Sequence, residues 1–212
     1  MGTAMGEKVP TSRQDARREV IEEAAYRVLM RDGYKAASIL AIAKEAKASN
    51  ETLYRWYGNK QGLFKALVEG NASTARALLQ EALQSHSDPL QALEKLGPVL
   101  LALVTSERAI AINRAAAGDF YDTKTLGEAL SQGGRGAVVP LIAKLLEEAS
   151  KGDQLSVSDP GEAADIYIDL LIGDWQIRRV TGAMEVPSGA DIENRAAQAL
   201  RRFLALCGAS AT

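Results

Sequence analysis

Ser38-Ile-Leu-Ala-Ile-Ala-Lys-Glu-Ala-Lys-Ala-Ser-Asn-Glu-Thr-Leu-Tyr-Arg-Trp-Tyr-Gly-Asn-Lys60 decides the architecture of this 212-residue chain. Ser38 opens a short helix whose inward face is Ile39, Ile42, Ala43 and Ala46, an apolar stripe at helical spacing. After Lys47-Ala48, Ser49 can accept from the N–H groups of the next turn and start a second short helix ending at Tyr57. Gly58-Asn59 breaks that helix, and Asn59 caps a longer one running from Lys60 towards Gln84. Two short helices joined by a tight turn form a helix-turn-helix. Ile39, Ile42, Ala46, Leu53 and Tyr57 hold the pair together, which leaves Asn50, Glu51, Thr52, Tyr54, Arg55 and Trp56 on the outer side. Such a helix fits a DNA major groove about 12 Å wide and offers its first residues to base edges. Asn, Thr and Arg carry the donors and acceptors for bases or phosphates, and Tyr and Lys suit phosphates. Lys60 and the open N–H groups at the start of the next helix make a phosphate anchor.

Upstream, Ser12-x-x-Asp15 has the pattern of a capping box, followed by Ala16, Val20, Ala24 and Val28 as the inward face of a helix. That helix should end at Arg31-Asp32-Gly33, with Gly33 in a left-handed position. Downstream, Asp88-Pro89-Leu90-Gln91 and Asp159-Pro160-Gly161-Glu162 each combine a cap, a proline at the first helical position and an acid or amide at the third. Ser188-Gly189-Ala190-Asp191 repeats this without proline. These signals predict helices over 89–105, 107–117, 160–183 and 189–207. The section 122–150 is helical by composition but interrupted at Gly133-Gly134, Gly136 and Pro140. With 36 alanines, only 11 aromatic residues and no sustained alternation of apolar and polar positions, the chain reads as all-α. It divides into an N-terminal unit, residues 12–65, and a C-terminal helical bundle, residues 66–212.

Composition narrows the chemistry. One cysteine, Cys207, permits no internal disulfide and suits a reducing cytoplasm. The single histidine, His86, removes His-rich zinc centres and di-iron bundles, and it sits in a polar stretch unsuited to a nucleophile–base pair. No metal, cofactor or catalytic residue is expected. The longest uncharged run, Leu96–Ser106, has 11 residues, against about 20 for a membrane span. Met1–Pro10 lacks the apolar run of a secretory signal.

Charge is informative only by region. The whole chain carries a formal −2. Residues 1–65 hold 12 Lys+Arg against 8 Asp+Glu, a net of +4, and the remainder holds 13 against 19, a net of −6. The positive share lies with the helix-turn-helix, where a polyanion would meet it.

The stretch resembles the DNA-binding domain of the tetracycline-repressor (TetR) family of transcriptional regulators. The carrying residues are Ile42-Ala43-Lys44-Glu45-Ala46, Ser49, Thr52-Leu53-Tyr54-Arg55-Trp56-Tyr57 and Asn59-Lys60-x-x-Leu63-Phe64. More weakly, residues 90–183 resemble the C-terminal domain of AefR-like members, through Leu103-Val104-Thr105-Ser106-Glu107-Arg108, Asn113-Arg114 and Asp159-Pro-x-x-Ala163-Ala164. The resemblance implies that Asn50, Thr52 and Arg55 read bases or adjoining phosphates, and that Ser38, Tyr54, Trp56 and Lys60 touch the backbone. With Ser49 and Glu51 these form the expected DNA-binding set. Glu51 either accepts from a cytosine amine or strengthens the helix start. Two departures stand out: Lys47 occupies a turn position where the family favours Gly, and Trp56 stands where His is common. Arg17 and Arg18 read as surface charges, with a reach to phosphates as the competing reading.

The resemblance also implies a homodimer on a double-stranded operator and a small-molecule effector site in the bundle. The expected dimer surface lies on the last two long helices, through Ile166, Tyr167, Leu170 and Leu171, then Ala196, Leu200, Phe203 and Leu204. The same rows could instead complete the core of one chain. Candidates for the effector site are Asn113, Arg114, Phe120, Tyr121, Trp175 and Arg178. For the two arginines, pairing with Asp119 or Asp174 is the competing reading, and for Trp175 it is packing. A rival of another class is an enzymatic or small-molecule-binding bundle whose N-terminal motif is vestigial.

Overall fold

The computed structural model describes residues 13–152 and 154–207. Ser12 and the segment Met1–Pro10 lie outside the described residues. Among the described residues every regular element longer than a single bridge is helical, and the contacts divide the chain into two units, residues 1–63 and 64–212.

In the first unit, α1 (Arg13–Ala36) packs on α2 (Ile39–Glu45), which packs on α3 (Asn50–Tyr57). Ser38 caps α2 by accepting from the Ala41 N–H, and Ser49 caps α3 by accepting from the Thr52 N–H, both at 3.1 Å. Each closes an open donor that would otherwise weaken so short a helix. The buried side chains include Ile21, Ala24, Ala25, Tyr26, Val28 and Leu29 of α1, Ile39, Ile42 and Ala43 of α2 with Ala46 beyond its end, and Leu53 of α3. The stripe on α1 therefore runs through Ile21 rather than Val20, which is 45% exposed. Gly33 interrupts α1 with φ 72°, after which the backbone resumes one further helical turn.

The division falls within α4 (Lys60–Gln84), just after Leu63. The second unit then builds on α5 (Pro89–Thr105), which touches α6 (Glu107–Gly118), α8 (Arg135–Lys151), α9 (Pro160–Ile172), α10 (Trp175–Thr181) and α11 (Gly189–Cys207). Leu79, Leu93, Leu96, Leu101, Ile142, Leu146, Leu171 and Phe203 form its core. The Tyr167 hydroxyl is buried there and donates to the Leu93 carbonyl at 3.0 Å, so its polar end stays satisfied. Asp88 and Asp159 cap α5 and α9 as their sequences predict.

Two interruptions refine the sequence reading. The section 122–150 becomes α7 (Thr125–Gly133) and α8, separated by Gly134, whereas Pro140 is accommodated inside α8. The helix expected over 160–183 is two helices. Gly173 ends α9 with φ 51° and ψ −130°, and a Cβ there would lie 2.5 Å from an Arg195 guanidinium nitrogen. Arg195 fills that space by donating to the Leu171 carbonyl at 3.0 Å and the Leu170 carbonyl at 2.8 Å, closing the exposed end of α9. No single helix among the described residues is long and apolar enough to cross a membrane.

Candidate nucleic-acid interface and bundle cavity

α3 is anchored by Leu53, its one fully buried side chain, and presents Asn50, Glu51, Tyr54 and Arg55 outward. Thr52 is half-buried, and its hydroxyl shares a 2.9 Å hydrogen bond with Ser49, so these two hydroxyls shape the start of the helix together. The turn before α3 passes through Lys47 at φ 48°. The Arg17 guanidinium of α1 donates to the Lys47 carbonyl at 2.6 Å. Arg17 thus has a structural partner, in place of the plain surface charge that the sequence suggests. Arg18 lies 5.8 Å from the centre of the half-buried Trp56 ring, a cation–π arrangement that ties Trp56 to α1.

Two further contacts set the far end of α3. Tyr57 is half-buried with its hydroxyl 3.5 Å from Glu22, and burial together with the Glu22 charge pushes that hydroxyl well above its ordinary pKa. Tyr57 is therefore an anchor and Tyr54, exposed on the outer face, is not. The Lys60 ammonium donates to the Tyr34 carbonyl and sits 3.7 Å from the centre of the Tyr34 ring. A position read from sequence as a phosphate anchor thus has a partner inside its own unit. Gly62 completes the joint, since a Cβ there would come within 1.9 Å of the Tyr57 carbonyl oxygen. Sequence periodicity gave no sign of that requirement. On the opposite side, Arg27 at 3.0 Å and Arg31 at 3.2 Å bind Glu45, hold its carboxyl below the usual range and brace α1 against α2.

The second unit contains a cavity of about 360 Å³, within the range of small-molecule sites. Its walls come from α4 (Val68, Asn71, Ala72, Ala75), α5 (Leu100, Leu103, Val104), α6 (Ala109, Ile112, Asn113), α7 and the start of α8 (Leu130, Ser131, Arg135, Val138), and α9 with α10 (Ile168, Ile172, Gln176). Most of this surface is carbon. Asn113 donates to the Ala109 carbonyl at 2.8 Å, and Arg135 is paired with Asp165 at 2.7 Å and Asp169 at 2.9 Å. No group of three or more His, Cys, Asp or Glu side chains that could hold a metal ion occurs among the described residues.

Comparison with known proteins assigns both units. Residues 91–209, more than half of the chain, match the AefR-like transcriptional repressor C-terminal domain, and residues 21–67 match the bacterial regulatory proteins of the tetR family. The chain belongs to the TetR family.

Among relatives of this TetR-family regulator, the HTH-type transcriptional regulator YvkB of Bacillus subtilis (strain 168), itself uncharacterized, is 25% identical over 154 residues, covering 72% of this chain and 78% of YvkB. A TetR transcriptional regulator from Agrobacterium tumefaciens is 28% identical with a TM-score of 0.72, covering 92% of this chain and 95% of its own. The flavonoid-responsive regulator FrrA is 26% identical with a TM-score of 0.67, covering 92% and 99%. Family membership makes the protein a DNA-binding transcriptional regulator rather than an enzyme.

Within the regulator's bundle, the effector candidates taken from sequence scatter. Asn113 lines the cavity; the other five are not among its lining residues. Arg114 donates to the Val180 carbonyl at 2.8 Å and the Arg179 carbonyl at 3.2 Å, joining α6 to the end of α10. Phe120 and Tyr121 are exposed and stack edge-on at 5.0 Å. Trp175 is half-buried, with Arg195 5.8 Å from its ring centre. Arg178 is exposed, 3.9 Å from Asp174. Asp119 is buried and accepts from Thr123 and the Leu126 N–H, which fixes the turn before α7. The residue that sequence reasoning passed over is Arg179, one position away. It is buried and donates to the Thr105 carbonyl at 3.1 Å, the Met184 carbonyl at 3.1 Å and Glu107 at 2.5 Å.

The expected dimer rows divide in two. Tyr167, Leu171, Ala196 and Phe203 are buried in the core of the single chain. Ile166, Leu170, Leu200 and Leu204 are only half-buried, on two helices, α9 and α11, that pack against each other.

Proposed function

We propose that the protein is a ligand-responsive repressor that binds a palindromic operator as a homodimer in the cytoplasm and releases it when a small molecule occupies the bundle. The observation that carries this reading is α3, a capped helix anchored by buried Leu53 and half-buried Tyr57 with Asn50, Glu51, Tyr54 and Arg55 outward. Asn50, Thr52 and Arg55 supply base and adjoining phosphate contacts. Ser38, Ser49, Tyr54 and Trp56 follow the backbone, Lys60 adds a partial phosphate contact from its seat on Tyr34, and Glu51 accepts from a base amine or favours the helix start. One such helix covers too few base pairs for high specificity, and two-fold pairing places recognition helices one turn of DNA apart, about 34–36 Å. The half-buried row Ile166, Leu170, Leu200 and Leu204 supports α9 and α11 as the pairing surface. The cavity around Asn113 supports the effector site, and the flavonoid response of FrrA is in keeping with it. Complete switching between a bound and a released state takes about 5.5 kcal/mol of differential affinity.

In-vitro selection from random duplexes tests the reading. The expected result is enrichment of an inverted repeat whose half-sites lie about one helical turn apart. Recovery of no preferred sequence, or of a single unrepeated site by a monomer in sedimentation, overturns it.

A further inference from the structure

The polar groups of the bundle cavity define the chemistry of its occupant, an inference that rests on the effector reading above. The wall is mainly carbon, and Arg135 is the sole ionisable residue among those that line it. Its guanidinium is already engaged: two nitrogens meet Asp165, at 3.2 and 2.7 Å, and the third meets Asp169 at 2.9 Å. An anion entering the cavity would have to share Arg135 with two carboxylates that already neutralise its charge, and a cation would find no acid in the lining. Burying either charge without a partner is costly.

What remains is the neutral chemistry of amides and one hydroxyl. The Ala109 carbonyl can only accept, so the end of Asn113 that lies 2.8 Å from it is the NH2 group. That leaves the Asn113 Oδ1, which has no hydrogen bond among the described residues, as an acceptor at the cavity. The same reasoning applies to Gln176, whose NH2 end reaches the Val104 carbonyl at 3.5 Å and whose Oε1 is likewise unpaired among the described residues. Together with the Asn71 amide and the Ser131 hydroxyl, which also line the cavity, these acceptors make a neutral polar set in an apolar wall and suit a hydroxyl, which both donates and accepts.

We infer that the cavity around Asn113 takes an uncharged, compact, largely apolar molecule bearing a hydroxyl, of the phenol class, and discriminates against carboxylates. A hydroxyl that fails to enter leaves the amide oxygens unsatisfied, which is the stronger source of selectivity.

The test uses the whole protein and three probes of one shape: 2-naphthol, naphthalene and 2-naphthoate. Binding is measured by calorimetry, in parallel with release of the selected duplex. The expected result is that 2-naphthol binds at least tenfold more tightly than either of the others, and that Asn113→Leu removes this preference while leaving naphthalene within twofold. Gln176→Met is run beside it, with a thermal melt of each, so that a misfolded Asn113 variant does not decide the outcome. Equal or tighter binding of 2-naphthoate overturns the inference, as does a preference that survives in every folded variant. Binding with the expected preference but without DNA release supports the ligand class and overturns the effector reading. Release driven best by 2-naphthoate does the reverse. Failure of all three probes to bind overturns both.

Discussion

Arg17 of α1 and Lys47 of the inter-helix turn are joined by a 2.6 Å hydrogen bond from guanidinium to carbonyl. The bond fixes the residue whose positive φ aims α3. Lys47→Gly is expected to stabilise the protein by about 0.5–1 kcal/mol, since a left-handed conformation is unfavourable for a residue with a Cβ. Arg17→Ala should cost about 1 kcal/mol, the worth of one hydrogen bond at a partly exposed site. Chemical denaturation of the two variants measures both, and a lower stability for Lys47→Gly contradicts this account.

Specificity should be lost without loss of fold at the outer positions of α3. Arg55→Ala and Asn50→Ala are each expected to lower affinity for the selected duplex by about 1–3 kcal/mol while changing binding to scrambled duplex little. Fluorescence anisotropy on the two duplexes makes the comparison. Thr52→Ala is a mixed case, because its hydroxyl also supports Ser49 at the helix start.

Lys60→Ala should act first on stability. Its ammonium is engaged with the carbonyl and ring of Tyr34, a cation–π contact of the order of 0.5–1 kcal/mol. We expect a lower melting temperature in the absence of DNA, and a fall of less than about 1 in the slope of log affinity against log salt, the value for a full phosphate contact. A full unit of slope with unchanged melting would assign Lys60 to the phosphate instead.

Gly62→Ala should be disruptive although it sits near a helix start, where alanine is normally welcome. The added methyl would meet the Tyr57 carbonyl at 1.9 Å, so α3 and the first turn of α4 must separate. Overpacking of this kind costs about 1–3 kcal/mol. Operator affinity should fall with it, whereas Gln61→Ala at the neighbouring position serves as the neutral control in both the melt and the anisotropy assay.

Arg179→Met should destabilise the bundle by about 2–4 kcal/mol. The substitution keeps the volume but abandons two backbone carbonyls and Glu107, the last being largely exposed and so a smaller part of the loss. Arg178→Met, one residue away and exposed, should change the urea midpoint little.

These residues also show what a sequence can and cannot carry. Caps and proline starts at Asp88, Asp159, Ser38 and Ser49 are local chemistry, so the helices they open were predictable. An isolated glycine inside an apolar pattern is ambiguous, and Gly173 divides a helix that periodicity joins. Alanine-rich helices offer several equivalent stripes, which is why Val20 and Ile21 were interchangeable on paper. The partners of Arg17, Lys60 and Arg179 lie 30, 26 and 74 residues away in the chain, and no spacing rule reaches so far. The cavity is likewise assembled from seven helices, each giving one to four residues that look like ordinary core or surface.

That α3 is anchored on one side, through Leu53 and Tyr57, has a consequence for descent. The exposed positions around it can change without disturbing the core, so a duplicated copy of this gene could acquire a new DNA address through a few substitutions at Asn50, Glu51, Tyr54 and Arg55. The effector site proposed for the second unit would pass unchanged to the new target. Address and sensor are free to diverge at different rates.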